Sequence, residues 1–199
     1  MAEYHYREGK GADATSPLFV LLHGTGGDEN QFFELGGQLL ASARLVAPRG
    51  DVSEHGALRY FKRTGEGVYD MADLALRTRQ MVDFVTARRD EGKPSRVVGL
   101  GYSNGANILA AVQFAAPELF DATILMHPLI PFTPPAVDFG GRKVLITAGQ
   151  RDPMASVAMT EALGDYFTAH GAKTELVWHA GGHELRQEEL RAAQGFLAG

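Results

Sequence analysis

Val97 to Ala110 read VVGLGYSNGANILA, and the fold turns on how this stretch is interpreted. Arg96 to Leu100 has the length and β-branched content of a buried strand, and Ala106 to Phe114 is apolar and alanine-rich, as a helix would be. Between them stand Gly101, Tyr102, Ser103, Asn104 and Gly105. A strand that turns directly into a helix leaves the residue at the turn strained and close-packed, so its flanking positions must lack bulk. Ser103 Oγ then projects from the carboxyl edge of a sheet, and the backbone N–H of Asn104 points into the same space as half of an oxyanion site. Gly-x-Ser-x-Gly is short, however, and this chain has 24 glycines. A serine is a weak nucleophile by itself, so the reading depends on finding a base, an orienting acid and a second oxyanion donor.

The second donor is sought upstream. Leu18 to Leu22 (LFVLL) is a continuous apolar run, as in a strand buried on both faces of a parallel sheet, and it ends in HGTGGDENQF. A dinucleotide fingerprint needs glycine at the position that Glu29 occupies, and no Gly-Lys-Ser/Thr follows, so both phosphate-binding readings fail. A plain tight turn remains possible. The alternative is the oxyanion loop, with the N–H of Thr25 as donor and Gly26 as fallback. His23 suits loop packing better than catalysis. Asp28 and Gln31 form a capping-box pattern for a helix over Glu29 to Ala43.

Further strands are expected at Arg44–Pro48, Asp121–Met126, Lys143–Thr147 and Glu175–Trp178, with helices at Asp70–Glu91, Ser156–His170 and Glu184–Leu197. Tyr4 and Tyr6 suit a short edge strand. Arg49 to Tyr69 is a glycine-rich connection too irregular for one helix; its Tyr60, Phe61 and Tyr69 could wall a pocket or plug the core. Arg59, Lys62 and Arg63 could meet an anionic group, against a prior for solvated charge. The proline-rich HPLIPFTPP forms a rigid loop offering Leu129, Ile130 and Phe132, and Met154 follows the next strand. Asp152, before Pro153, is a cap or an acid. His183, in HAGGHEL, is the candidate base, with His179 its rival.

Alternating strands and helices imply an α/β sandwich on a mostly parallel sheet, with helices on both faces and one domain over residues 1–199. Ser103, Asp152 and His183 then fall on loops at one sheet edge. Their order is that of the α/β-hydrolase fold, and of neither chymotrypsin nor subtilisin.

Composition excludes other classes. The net charge of −5 and the lack of a basic block argue against a nucleic-acid partner. With no cysteine, disulfides, thiolate metal sites and a cysteine nucleophile are excluded. The N-terminal MAEYHYREGK has no apolar leader and no run approaches a membrane span, so a cytoplasmic protein without stable membrane insertion is expected. A homodimer is the default oligomer.

LLHGTGGDENQF, VAPRGDVSEHG, GYSNGANI, GQRDP and GGHEL together resemble the small lid-less carboxylesterase/phospholipase family of α/β hydrolases, related to acyl-protein thioesterases and more distantly to dienelactone hydrolases. The resemblance covers nearly the whole chain. It implies Ser103 as nucleophile, Asp152 as acid, His183 as base, and the amides of Thr25 and Asn104 as the oxyanion hole. Gly26, Phe61, Tyr69, Leu129, Ile130 and Met154 become candidates for contacting substrate. Neither metal nor organic cofactor is expected. Dienelactone hydrolases carry cysteine at the elbow, so the serine counts against that activity. Asn104, where acyl-protein thioesterases usually have Gln, favours a bacterial carboxylesterase branch. With no room for a cap domain, an open, shallow site for short-chain or small aromatic esters is expected. A thioesterase, a lysophospholipase-type hydrolase or a non-catalytic ligand-binding protein is the alternative.

Overall fold

The computed structural model describes residues 4–199. The first half of the chain runs β1 (Tyr6–Gly9), β2 (Leu18–Leu22), α1 (Phe33–Leu39), β3 (Arg44–Pro48), β4 (Val52–Glu54), β5 (Ala57–Arg59), β6 (Arg63–Gly65), β7 (Val68–Tyr69) and α2 (Met71–Asp90). The second runs β8 (Val97–Tyr102), α3 (Asn104–Ala115), β9 (Ala122–Met126), β10 (Lys143–Gly149), α4 (Val157–Ala169), β11 (Lys173–His179) and α5 (Gln187–Ala198). Seven strands form one sheet in the order β1-β3-β2-β8-β9-β10-β11. Only β1 is antiparallel, pairing Tyr6 with Pro48 at the edge.

Side chains alternate across each strand, so β2 sends Leu18, Val20 and Leu22 to one face and Phe19 and Leu21 to the other. Helices α2, α3 and α4 close the first face with Met81, Ile108 and Phe167. Helices α1 and α5 close the second, with Phe33 and Leu35 from α1 and Phe196 and Leu197 from α5. This is the α/β-hydrolase architecture, and the described residues form no cap domain. The central strand β8 is flanked by β2 and β9 and feeds α3, which is buried from Asn104 to Phe114. No described helix is long and apolar enough to cross a membrane.

Two segments differ most from the sequence expectation, beside smaller shifts such as α5 beginning at Gln187 rather than Glu184. The helix expected over Glu29–Ala43 shrinks to Phe33–Leu39, because its cap residues are engaged elsewhere. Asp28 accepts the N–H of Asn30 in a local turn at 2.8 Å, and Gln31 Oε1 reaches back to the N–H of Gly24 at 2.8 Å. The irregular Arg49–Tyr69 connection is two hairpins, β4/β5 and β6/β7. His55, Gly56 and Gly67 take positive φ (50°, 90° and 68°), the backbone twist that tight hairpins require.

Candidate functional site

The elbow exists for a steric reason. Ser103 sits at φ 52°, ψ −116° between β8 and α3, a conformation that costs about 1–3 kcal/mol in a non-glycine residue. A side chain on Gly101 would overlap the backbone of Gly105, and one on Gly105 would overlap the carbonyls of Leu22 and His23. Both glycines are therefore dictated by backbone packing around the serine.

The loops after β8, β10 and β11 bring the three predicted side chains together. Ser103 Oγ lies 2.9 Å from His183 Nε2, and His183 Nδ1 lies 2.7 Å from Asp152 Oδ2. Asp152 makes the contacts that both sequence readings, cap and acid, require. Its Oδ1 accepts the N–H groups of Met154 and Ala155 at 2.8 and 3.3 Å, holding the turn ahead of α4, while Oδ2 serves the histidine. Burial pushes the Asp152 carboxyl up, but hydrogen bonds from His127, His183 and the Met154 N–H outweigh it and hold the group below its ordinary value. The hydroxyl of Tyr102 donates to the His183 carbonyl at 2.6 Å and fixes the loop.

Thr25 and Asn104 line the same pocket as Ser103 and His183. Asn104 opens α3, where its N–H has no carbonyl a turn earlier to bond. The fallback donor Gly26 is excluded, because its N–H is committed to the Leu58 carbonyl at 2.9 Å. His23 is structural: Nδ1 faces the Gly24 carbonyl at 2.7 Å, so it carries the proton, and Nε2 accepts from the Gly50 N–H at 2.8 Å. His179, the rival base, is buried against Glu189 at 3.3 Å.

Of the expected substrate contacts, Tyr69, Leu129 and Met154 line the pocket. Phe61 is fully buried behind it, packed edge-on to Tyr69 at 4.8 Å, and so plugs the core. Ile130 turns toward a separate apolar groove with Phe132 and Met159. Gly26 carries no side chain toward the pocket, and its amide is used in the loop. The cavity beside Ser103 is small, about 20 Å³, and is narrowed by Arg59, Arg63 and Gly67 from the hairpin segment. Asn107 ties this wall to the elbow helix, donating to Tyr69 Oη and accepting the Leu129 N–H, both at 2.7 Å.

Three features go beyond the sequence reading, which weighed Arg59 and Arg63 as solvated charge or anion contacts and did not single out the other two. Arg59 is 4% exposed and lines the pocket, donating to Thr25 Oγ1 at 2.8 Å, with the Arg63 side chain beside it. Glu54 faces both, 3.5 Å from Arg59 and 2.9 Å from Arg63, so one carboxylate answers two guanidinium groups. Burial, and then the Arg63 charge, hold the Arg59 cation below its ordinary value. The other two are His127 and Glu189, which stand behind Asp152. A histidine at the carboxyl end of β9, next to the elbow strand, was the available signal for the first. Nothing in the sequence marked Glu189 apart from its neighbour Glu188. The ligand atoms of His127, His179 and Glu189, like those of His127, Asp152 and His183, lie within 4.8 Å of one another. Hydrogen bonds already join each set, so a cation there would have to displace the protons that connect them.

The model of the Dienelactone hydrolase family matches residues 60–191. MhqD of Bacillus subtilis (strain 168) is 39% identical over 180 residues, 89% of this chain and 90% of that protein. The structure of Atu2452 from Agrobacterium tumefaciens str. C58, a protein of unknown function, superposes with a TM-score of 0.94 at 57% identity, covering 98% of this chain and 96% of its own. The Bacillus cereus carboxylesterase superposes with a TM-score of 0.93 at 34% identity, covering 99% and 94%.

Proposed function

Because the chain belongs to the dienelactone hydrolase family and is a hydrolase of the dienelactone hydrolase and carboxylesterase type, we propose that it is a serine carboxylesterase acting on small esters through an acyl-enzyme on Ser103. The observation that carries this reading is the unbroken hydrogen-bonded line from Ser103 through His183 to Asp152, with the serine held at a strained elbow. His183 Nε2 takes the hydroxyl proton as Ser103 Oγ attacks the ester carbonyl. Asp152 holds the Nδ1–H tautomer and stabilises the imidazolium that forms. The N–H groups of Thr25 and Asn104 receive the developing oxyanion. His183 returns the proton to the departing alcohol, and water then cleaves the acyl-enzyme with His183 as base. The elbow serine, in place of the cysteine of dienelactone hydrolases, supports ester rather than dienelactone chemistry.

The paired guanidinium groups narrow the substrate. Arg59 and Arg63 line the pocket with Glu54 as their one contacting carboxylate and Glu66 acting on Arg63 from farther away, and an anionic substituent on the acyl group would pair with the two guanidinium groups. A cavity this small favours short chains.

Hydrolysis of p-nitrophenyl acetate, butyrate, octanoate and hemisuccinate by wild type and Ser103→Ala tests the reading, with fluorophosphonate labelling located by mass spectrometry. Turnover falls roughly 10⁴- to 10⁶-fold in Ser103→Ala, and the label sits on Ser103. Hemisuccinate is preferred to butyrate, and Arg63→Gln raises KM for hemisuccinate about tenfold while leaving butyrate nearly unchanged. Labelling elsewhere, or turnover surviving in Ser103→Ala, refutes the nucleophile; equal treatment of the two acyl groups refutes the anionic subsite.

A further inference from the structure

Asp152 has a second histidine partner, which the mechanism above does not use. His127 Nδ1 lies 2.9 Å from Asp152 Oδ2, the same oxygen that faces His183. On the other side of the ring, Nε2 lies 3.1 Å from Glu189 Oε1. The side chains of His127, Asp152 and Glu189 are completely buried. His127 also sits at φ 52°, a strained position for a residue other than glycine, with its N–H on the Thr147 carbonyl at 2.8 Å.

The protons can be assigned from the neighbours. Glu189 accepts from Thr147 Oγ1 at 2.6 Å and from the Arg186 N–H at 2.7 Å. The N–H of Gly181 donates to His179 Nδ1 at 3.0 Å, so His179 carries its proton on Nε2, which points at Glu189 Oε2 from 3.3 Å. Asp152 accepts from Met154, Ala155 and His183. Both carboxylates are thus surrounded by donors and have no proton to offer, so a ring placed between them must supply a proton from each nitrogen. The 3.3 Å approach of His127 Nε2 to His179 Nε2 is then two donors converging on Glu189. The edge of Tyr102, 5.8 Å from His127, completes the surroundings from β8.

We propose that His127 is a positioning residue, an imidazolium clamped between Asp152 and Glu189 that acts on the reaction through Asp152. The inference rests on the serine-esterase reading. The clamp keeps Asp152 ionised and aims Oδ2 at His183. It also offsets the charge of two buried carboxylates that would otherwise stand together without a counter-ion. Burial would strip the proton from His127, but the bonds to Glu189 and Asp152 outweigh it and hold the ring above its ordinary value. Burial pushes the Glu189 carboxyl the opposite way, up, but His127 and Thr147 hold it below its ordinary value.

The test has two arms, both on the full chain. Long-range ¹H–¹⁵N spectra of the histidine rings in wild type and Ser103→Ala show both His127 nitrogens still protonated above the pH at which an ordinary histidine has become neutral. A ring with one proton at about pH 7 overturns the proposal. In the second arm, His127→Gln and Glu189→Gln are compared with wild type on p-nitrophenyl acetate across pH. Glu189→Gln lets a neutral His127 keep its bond to Asp152, so it isolates the charge from the hydrogen bond. Both variants lower kcat by about 10- to 100-fold with KM little changed, the scale seen when outer partners of functional groups are removed. Both also move the acid limb of kcat/KM to higher pH, because a positive charge 5.0 Å from the His183 ring has gone. A fall in kcat with the acid limb unmoved means a structural role only and overturns the proposal. If wild type neither turns over nor labels, the esterase reading falls and the kinetic part of the clamp falls with it. The ring spectra would still decide by themselves whether His127 is an imidazolium.

Discussion

Replacing Asp152 with Asn changes one atom's chemistry in a side chain whose every contact is defined, so its effect can be worked through. Oδ1 accepts the N–H groups of Met154 and Ala155, and an Asn oxygen can continue to do so. That leaves the new NH₂ facing the Nδ1 atoms of both His183 and His127, where an acceptor stood before. His183 must then present a lone pair at Nδ1 and carry its proton on Nε2, aimed at Ser103 Oγ from 2.9 Å. A ring in that tautomer has no lone pair to receive the serine proton. The expected loss in kcat is about 10⁴-fold, or about 5.5 kcal/mol of transition-state stabilisation. Stability falls less, because two charge-assisted hydrogen bonds are weakened while the turn before α4 survives. About 1 kcal/mol each gives a loss of about 2 kcal/mol, which lowers Tm by about 4–8 °C in a chain of this size. The assay is p-nitrophenyl acetate hydrolysis at about pH 8, alongside thermal unfolding followed by circular dichroism. An Asp152→Asn protein that folds with this modest loss yet keeps activity within about tenfold of wild type would show that Asp152 does not set the tautomer of His183.

Two predictions concern the scaffold. Gly105→Ala places a methyl group against the backbone of Leu22 and His23, atoms of the central sheet that cannot yield. It is expected to lose more than about 3 kcal/mol in urea unfolding, and a loss below about 1 kcal/mol would show that the elbow can relax. Glu29 is buried against Arg49, whose side-chain hydrogen bonds hold its carboxyl down to about 2 from an ordinary 4.5. A group depressed on folding contributes stability that is complete above its unfolded value and is lost as pH falls through its folded value. Wild type should therefore lose this contribution between pH 4.5 and about 2, and Glu29→Gln should lack that part of the acid dependence. Parallel stability curves for the two proteins across that window would contradict the assignment.

Local pattern alone carried much of this protein. Strand, glycine-flanked serine and helix were legible around Ser103 because the geometry of the elbow forbids side chains at Gly101 and Gly105, and such exclusions are written in residue type. Apolar runs such as LFVLL and KVLIT marked buried parallel strands, because a strand covered on both faces cannot alternate. The placement of Asp152 and His183 after successive strands followed from the same regularity. Tertiary structure decided the rest, wherever a side chain chose between a local and a distant partner. Gln31 abandoned its cap for Gly24, which shortened α1, and Gly26 gave its amide to Leu58, leaving Thr25 as the oxyanion candidate. Phe61 and Tyr69 were indistinguishable as aromatics in a loop until two hairpins turned one into the core and the other onto the pocket wall. Arg59 read as solvated charge until the fold buried it beside Thr25. His127 and Glu189 are separated by 62 positions in sequence, and only the neighbouring ends of β9, β10 and β11, packed under α5, bring them to Asp152. Residue pattern reports what the backbone requires locally; which buried polar groups satisfy one another depends on contacts between distant segments, and those exist only once the sheet is assembled.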